Sequence, residues 1–199
     1  DVTGTSASGD LCSYLDDGTY TITLTVTDDQ GATGTATTTA TIADVPPSII
    51  SLTNTPASPN EGDAIAFAVS ASAGPNDTLS SFWDFGDGNT SSQTAPTHIY
   101  PGDGSFLVAV TVTDDDGSSA TSTATVTVAN VAPVLTASGP TALDEGASGT
   151  FTQSATDAGG DSLTYWWDWG DGNTGQGQTA SYIWSNQGTY QVAGYVTDG

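Results

Sequence analysis

One phrase opens three times in this chain. GTYTITLTVTDDQG begins at Gly18, GSFLVAVTVTDDDG at Gly104 and GTYQVAGYVTDG at Gly188, at offsets of 86 and 84 residues. A chain that returns to the same phrase at such an interval is a row of like-built modules rather than one continuous globule. The joints repeat too: ADVPPSI at 43–49 comes back as ANVAPVL at 129–135. The chain therefore divides into residues 1–45, the C-terminal part of a first module, 46–131, a complete second one, and 132–199, a third that lacks its last strand.

Within each copy the apolar residues alternate with polar ones. Tyr20, Ile22, Leu24 and Val26 are separated by Thr, and Phe106, Val108, Val110 and Val112 follow the same period of two. That spacing puts one side of a strand in a core and the other in solvent, and Thr-rich, β-branched sequence suits it. No stretch has helical periodicity. In the second copy the pattern predicts strands at 48–53, 64–70, 80–85, 97–100, 105–113 and 120–128. Modules of about 85 residues with Gly, Asp, Asn and Pro turns indicate an all-β fold, a tandem array of antiparallel β-sandwiches. The acidic runs at 28–31 and 114–117 are read as hairpin turns, where Gly supplies positive φ and Asp caps the turn amides.

Charge excludes several classes of function. The chain has 23 Asp and Glu, no Lys or Arg, and a formal charge of −23. With no cationic side chain to displace counterions, neither nucleic acid nor an anionic membrane surface is a suitable partner. Screening must come from cations in solution, which suits an extracellular, calcium-containing or saline medium. Cys12 is the single cysteine, so no disulfide forms within the chain and a bridge to another molecule remains open. No apolar run approaches the roughly 18 residues of a membrane-spanning helix. The absence of Met and of a leader marks the chain as a processed product or a window on a longer one.

The most distinctive motif occurs twice, as FWDFGDGNTSS at 82–92 and WWDWGDGNTGQ at 166–176. Trp83 and Phe85, and likewise Trp167 and Trp169, sit two apart and so share one strand face directed at the core, where a Trp buries about 200 Å². Asp84, Gly86, Asp87 and Gly88, with Asp168, Gly170, Asp171 and Gly172, form the turn that follows; its glycines take positive φ while Asp87 or Asp171 accepts turn N–H bonds. Phe82 and Trp166 have the opposite parity and are expected to face outward, free to stack on sugar rings or pack against a neighbouring chain.

These residues carry a resemblance. WDFGDG, then THIY, then GSFLVAVTVTDDDGSSATSTATVTV resembles the polycystic-kidney-disease (PKD) type of immunoglobulin-like domain, over essentially the whole chain. The resemblance implies a seven-strand sandwich, found in extracellular arrays on surface-layer proteins, adhesins and secreted hydrolases, usually without catalysis. The third copy departs from it, with Tyr182-Ile183-Trp184 where the second has His98-Ile99-Tyr100. His98 is accordingly read as a hydrogen-bonded structural residue, since no second His or Cys stands by to complete a zinc site.

Hard oxygen ligands suited to calcium gather at Asn60, Glu61 and Asp63, at Asp144 and Glu145, and in the hairpin Asp114, Asp115 and Asp116; an ion bridging Asp44 or a hairpin Asp to the next module would stiffen a joint. Calcium is the one cofactor considered, and no organic cofactor is implied. Asn76 and Asn89 begin glycosylation sequons. The single His has no triad geometry and Cys12 has no base in its own copy, so no enzyme is read here.

The function expected is a non-catalytic spacer array of a cell-surface fibre, adhesin stalk or surface layer, with self-assembly as an open option, whose partners are its own copies or further repeats. The alternative is an accessory region of a secreted hydrolase that uses Trp166, Tyr182 or other exposed rings to hold polysaccharide or collagen. The open sheet edge of the third copy leads to the further expectation that the chain continues beyond Gly199, strand donation from a neighbouring subunit being the alternative.

Overall fold

The computed structural model describes residues 13–198, and every regular element in them is a β-strand. Cys12 lies outside the described residues. β1 (Gly18–Thr27) and β2 (Thr33–Ile42) form an antiparallel hairpin in full register. Its turn is closed by Asp28, whose Oδ1 accepts the N–H groups of Gln30 and Ala32, with Gly31 at φ +86°. A similar device recurs one module later, where Asp114 Oδ1 accepts the single N–H of Ser118 and Gly117 sits at φ +96°.

The middle unit contains seven strands: β3 (Ser48–Thr55), β4 (Ile65–Ser72), β5 (Ser80–Asp84), β6 (Thr90–Ser91), β7 (Thr97–His98), β8 (Gly104–Thr113) and β9 (Ser119–Val128). They make two antiparallel sheets, ordered β3-β4-β7 and β6-β5-β8-β9. The short β6 was not predicted from the sequence: two polar residues leave no period to read. Alternation decides what is buried. Ile65 and Phe67 from β4 meet Trp83 from β5 and Val108, Val110 and Val112 from β8, with Phe85, Tyr100, Val126 and Val128 completing the core.

The last unit repeats the plan with β10 (Val134–Ser138), β11 (Ser148–Thr156), β12 (Thr164–Asp168), β13 (Thr174–Gln176), β14 (Thr179–Ile183) and β15 (Ala193–Thr197), in sheets ordered β10-β11-β14 and β13-β12-β15. Its core is smaller: Phe151, Trp167 and Trp169 are buried, with Ala180, Tyr182, Trp184 and Val192 packed around them. One pair of positions exchanges volume between units. Where the middle unit packs Val69 and Val110, the last has Gln153 and Gly194, and a Cβ on Gly194 would run into Gln153 Oε1. The missing side chain makes room for the amide, whose Nε2 donates to the carbonyls of Trp166 and Gly177.

Candidate functional site

Each sandwich is pinned around its tryptophan by the same set of hydrogen bonds, made with different residues. The indole of Trp83 donates to the Gln93 carbonyl and that of Trp167 to the Gly177 carbonyl, both at 3.0 Å. After the Trp strand, Asp84 Oδ1 accepts the Gly86 N–H and Asp168 Oδ1 the Gly170 N–H, both at 2.9 Å. Asp87 and Asp171 then accept the N–H groups of Asn89 and Asn173 at 3.0 Å. All four turn glycines take positive φ, from +77° to +90°.

The strand that crosses behind the turn locks it. In the middle unit His98 donates from Nε2 to Asp87 Oδ2 at 2.7 Å and its ring stacks on Phe85 at 4.2 Å. In the last unit Tyr182 donates its hydroxyl to Asp171 Oδ2 at 2.6 Å and stacks on Trp169 at 4.8 Å. His and Tyr are thus equivalent here: each offers a flat ring to the core aromatic and one donor to the turn carboxylate. Two residues on, Tyr100 donates to the Phe85 carbonyl and Trp184 to the Trp169 carbonyl. These carboxylates are fully engaged in holding the turn. Tyr182, expected as an exposed ring that grips a ligand, is instead half-buried with its hydroxyl committed.

Burial pushes the Asp87 carboxyl up, but the Asn89 donors and His98 outweigh it and hold the group below the usual range. The Tyr182 hydroxyl, helped by Asn173 and opposed by burial, does the same for Asp171. A carboxyl lowered by folding contributes stability that is whole above its unfolded value, about 3.9, and is lost as pH falls through the folded value. In an acid titration followed by circular dichroism, the wild-type chain is expected to lose stability below about pH 4. Asp171→Asn should flatten that limb for the last unit. Superimposable wild-type and variant titrations would contradict the assignment.

Of the outward aromatics, Phe82 is 52% exposed, and Trp166 is half-buried by stacking on Tyr195 of the neighbouring strand at 6.1 Å. Asn76 and Asn89 are both exposed, and the Asn89 side-chain amide donates to Asp87.

The candidate calcium ligands are redistributed by the fold. Asp63 caps its own turn by accepting the Asn60 N–H, Asp115 accepts the Thr78 N–H, Asn60 is exposed, and Asp144 and Glu145 are exposed and join no carboxylate cluster among the described residues. Asp44 and Asp114 converge with Asp77, a residue the sequence did not single out. One oxygen of each is engaged, since the Ser118 hydroxyl donates to Asp44, the Gly74 N–H to Asp77 and the Ser118 N–H to Asp114, while Asp44 Oδ1 and Asp114 Oδ2 are buried without a partner. Asp116 approaches Asp16 and Asp77, and a hydrogen bond shared with Asp17, then burial and the charges of Asp17, Asp115 and Asp16, push it up to about 6. Glu61 turns away from Asn60 and Asp63 into the joint with the last unit, beside Asp157 and Asp161. The Val131 N–H draws the Glu61 carboxyl down, but burial, Asp161 and Asp157 prevail and raise it above the ordinary range. Asp77, shared by two of these clusters, and Asp161, a member of the third, are related by the 84-residue offset, which was the available signal.

Paired sheets closed over an indole, with an acid-capped glycine turn at one end, define an immunoglobulin-like β-sandwich repeat. A family model of the PKD domain matches residues 45–128 and again 130–199, and the chain belongs to that family. Over 52 residues, 26% of its length, it is 46% identical to a microbial collagenase of Vibrio alginolyticus, of which the match covers 6%. Among solved structures, it is 30% identical to the PKD1 domain of Vibrio anguillarum Epp, over 44% of this chain and 98% of that one, with a TM-score of 0.38. It is 32% identical to the PKD1 domain of the Vibrio cholerae metalloprotease PrtV, over 44% and 99% of the two chains, with a TM-score of 0.32. The chain thus spans only a small part of the curated collagenase it matches. No helix among the described residues is long and apolar enough to cross a membrane.

Proposed function

We propose that this chain is an extracellular, non-catalytic spacer region, a rod of PKD units in a cell-surface fibre, adhesin stalk or surface layer. The observation that supports it is the joint at 129–131. Ala129 exchanges backbone bonds with the preceding unit, donating to Pro59 and accepting from Glu61. The Val131 N–H is held by the Glu61 side chain at 2.8 Å. From the far side, Gly160 of the last unit donates to the Pro101 carbonyl of the middle one. A connector held against the middle unit, beside a direct backbone bond between the two units, resists swivelling, as a spacer requires.

A second reading, an accessory region of a secreted hydrolase, is favoured by the collagenase relative and by the outer-face stack of Trp166 on Tyr195. One set of measurements separates the two. Small-angle scattering should give a radius of gyration well above the roughly 16 Å of a compact globule of this length. A value near 16 Å would sink the spacer. Retention on insoluble collagen or glycan, abolished by Trp166→Ala, would transfer the function to the second reading.

A further inference from the structure

The joint between the middle and last units buries charge that the chain itself cannot neutralise. Glu61 is 2% exposed; its Oε1 takes the Val131 N–H, while Oε2 is shut off from solvent with no donor. Facing it, both carboxylate oxygens of Asp157 and Oδ2 of Asp161 are also buried without a partner. One oxygen from each of the three lies within 4.8 Å of the others. Buried polar atoms are nearly always paired, and unpaired carboxylates least of all escape that rule. The chain has no Lys or Arg to offer, and its single His is engaged by Asp87.

We propose that Glu61, Asp157 and Asp161 form a divalent-cation site, of the calcium class, that clamps the last unit to the middle one. Three carboxylates with no nitrogen or sulfur donor select a hard cation, and oxygens spaced this way can share one ion at the 2.3–2.6 Å ligand distances of calcium. The backbone is shaped around the site. Gly159 lies so close to Glu61 Oε2 that a side chain there would displace it, and a Cβ on Gly62 would come within 2.7 Å of the Ala158 carbonyl. The glycines let the loop between β11 and β12 close over Glu61, so the ligands come from both units and the ion ties one to the other. This deepens the spacer reading and rests on it for its purpose, but the binding can be tested alone.

Isothermal titration of the 199-residue chain with calcium chloride at fixed ionic strength, after chelator treatment, is the test. Glu61→Gln keeps an acceptor for the Val131 N–H while removing the charge, and Asp161→Asn provides an independent variant. Wild type is expected to bind with a dissociation constant of about 10⁻⁴ to 10⁻³ M, as extracellular modules do, and both variants to lose this site or weaken it at least tenfold. Melting should invert: in chelator both variants unfold at higher temperature than wild type, because repulsion is relieved, and in saturating calcium both unfold lower. Calcium binding unaltered by either substitution, no binding at all, or the same order of melting in both conditions overturns the clamp. Scattering on the same samples keeps the two readings apart. An extended particle that binds no calcium at this joint refutes the clamp alone, whereas a compact particle in saturating calcium refutes the spacer.

Discussion

Trp83→Ala is expected to destabilise the middle unit by about 3–5 kcal/mol, the range for removing a buried Trp side chain. The indole is fully buried, packs on Phe67 with ring centres 5.9 Å apart, and satisfies the Gln93 carbonyl. Truncation leaves a cavity between the sheets and removes the indole donor from that carbonyl, which keeps the Ser81 hydroxyl at 3.2 Å. Phe82→Ala, one residue earlier, should cost no more than about 0.5 kcal/mol, because the ring is on the open face. Urea unfolding followed by far-ultraviolet circular dichroism measures both. Similar losses for the two neighbours would mean that the sandwich interior is not where the alternation puts it.

The second large effect concerns a missing methyl group. Gly86→Ala should cost about 3 kcal/mol or more, combining a positive-φ penalty with a collision. A Cβ at this position would stand 2.6 Å from the Leu107 carbonyl oxygen and 3.0 Å from the Leu107 nitrogen, backbone atoms of β8 that cannot step aside. Gly88 is the internal control. It too has positive φ, +90°, but a Cβ there meets nothing within 4 Å, so Gly88→Ala should show only the conformational cost of about 1–2 kcal/mol. The last unit offers the same comparison, with Gly170 against the Gln191 carbonyl at 2.6 Å and Gly172 in open space. If Gly86 and Gly88 tolerated Ala equally, close approach of the turn to β8 would not be the reason for the first glycine.

The spacing of Trp83 and Phe85, and of Trp167 and Trp169, made the core side of the motif strand legible in advance, since a strand's period leaves two choices of face. Asp28 and Asp114 as hairpin caps were legible for a similar reason: the acceptor and the amide it serves lie within four residues of each other. Burial itself was less so. Ile22, Leu24 and Val26 alternate as cleanly as Val108, Val110 and Val112, yet they are 43%, 60% and 60% exposed, because among the described residues no second sheet lies across from them. Parity belongs to a strand, whereas burial belongs to whatever packs against it.

The candidate site followed the same division. Tyr182 in place of His98 marked the His as structural, but only the packed ring and the equivalent acid partner show that one donor has been exchanged for another. Glu61 was grouped with Asn60 and Asp63 because they are neighbours in the chain. In the folded molecule it belongs with Asp157 and Asp161, roughly a hundred residues away, since the turn at Gly62 and the joint at Val131 bring the two units' ends together.

The sequence by itself determined the repeat, the strand faces, the acid-capped glycine turns and the lack of any internal cation, all of which depend on local spacing and composition. The tertiary structure alone decided which carboxylates meet, which rings remain exposed and how the middle unit is tied to the last. Those outcomes depend on distances between residues far apart in the chain, and no local period encodes them.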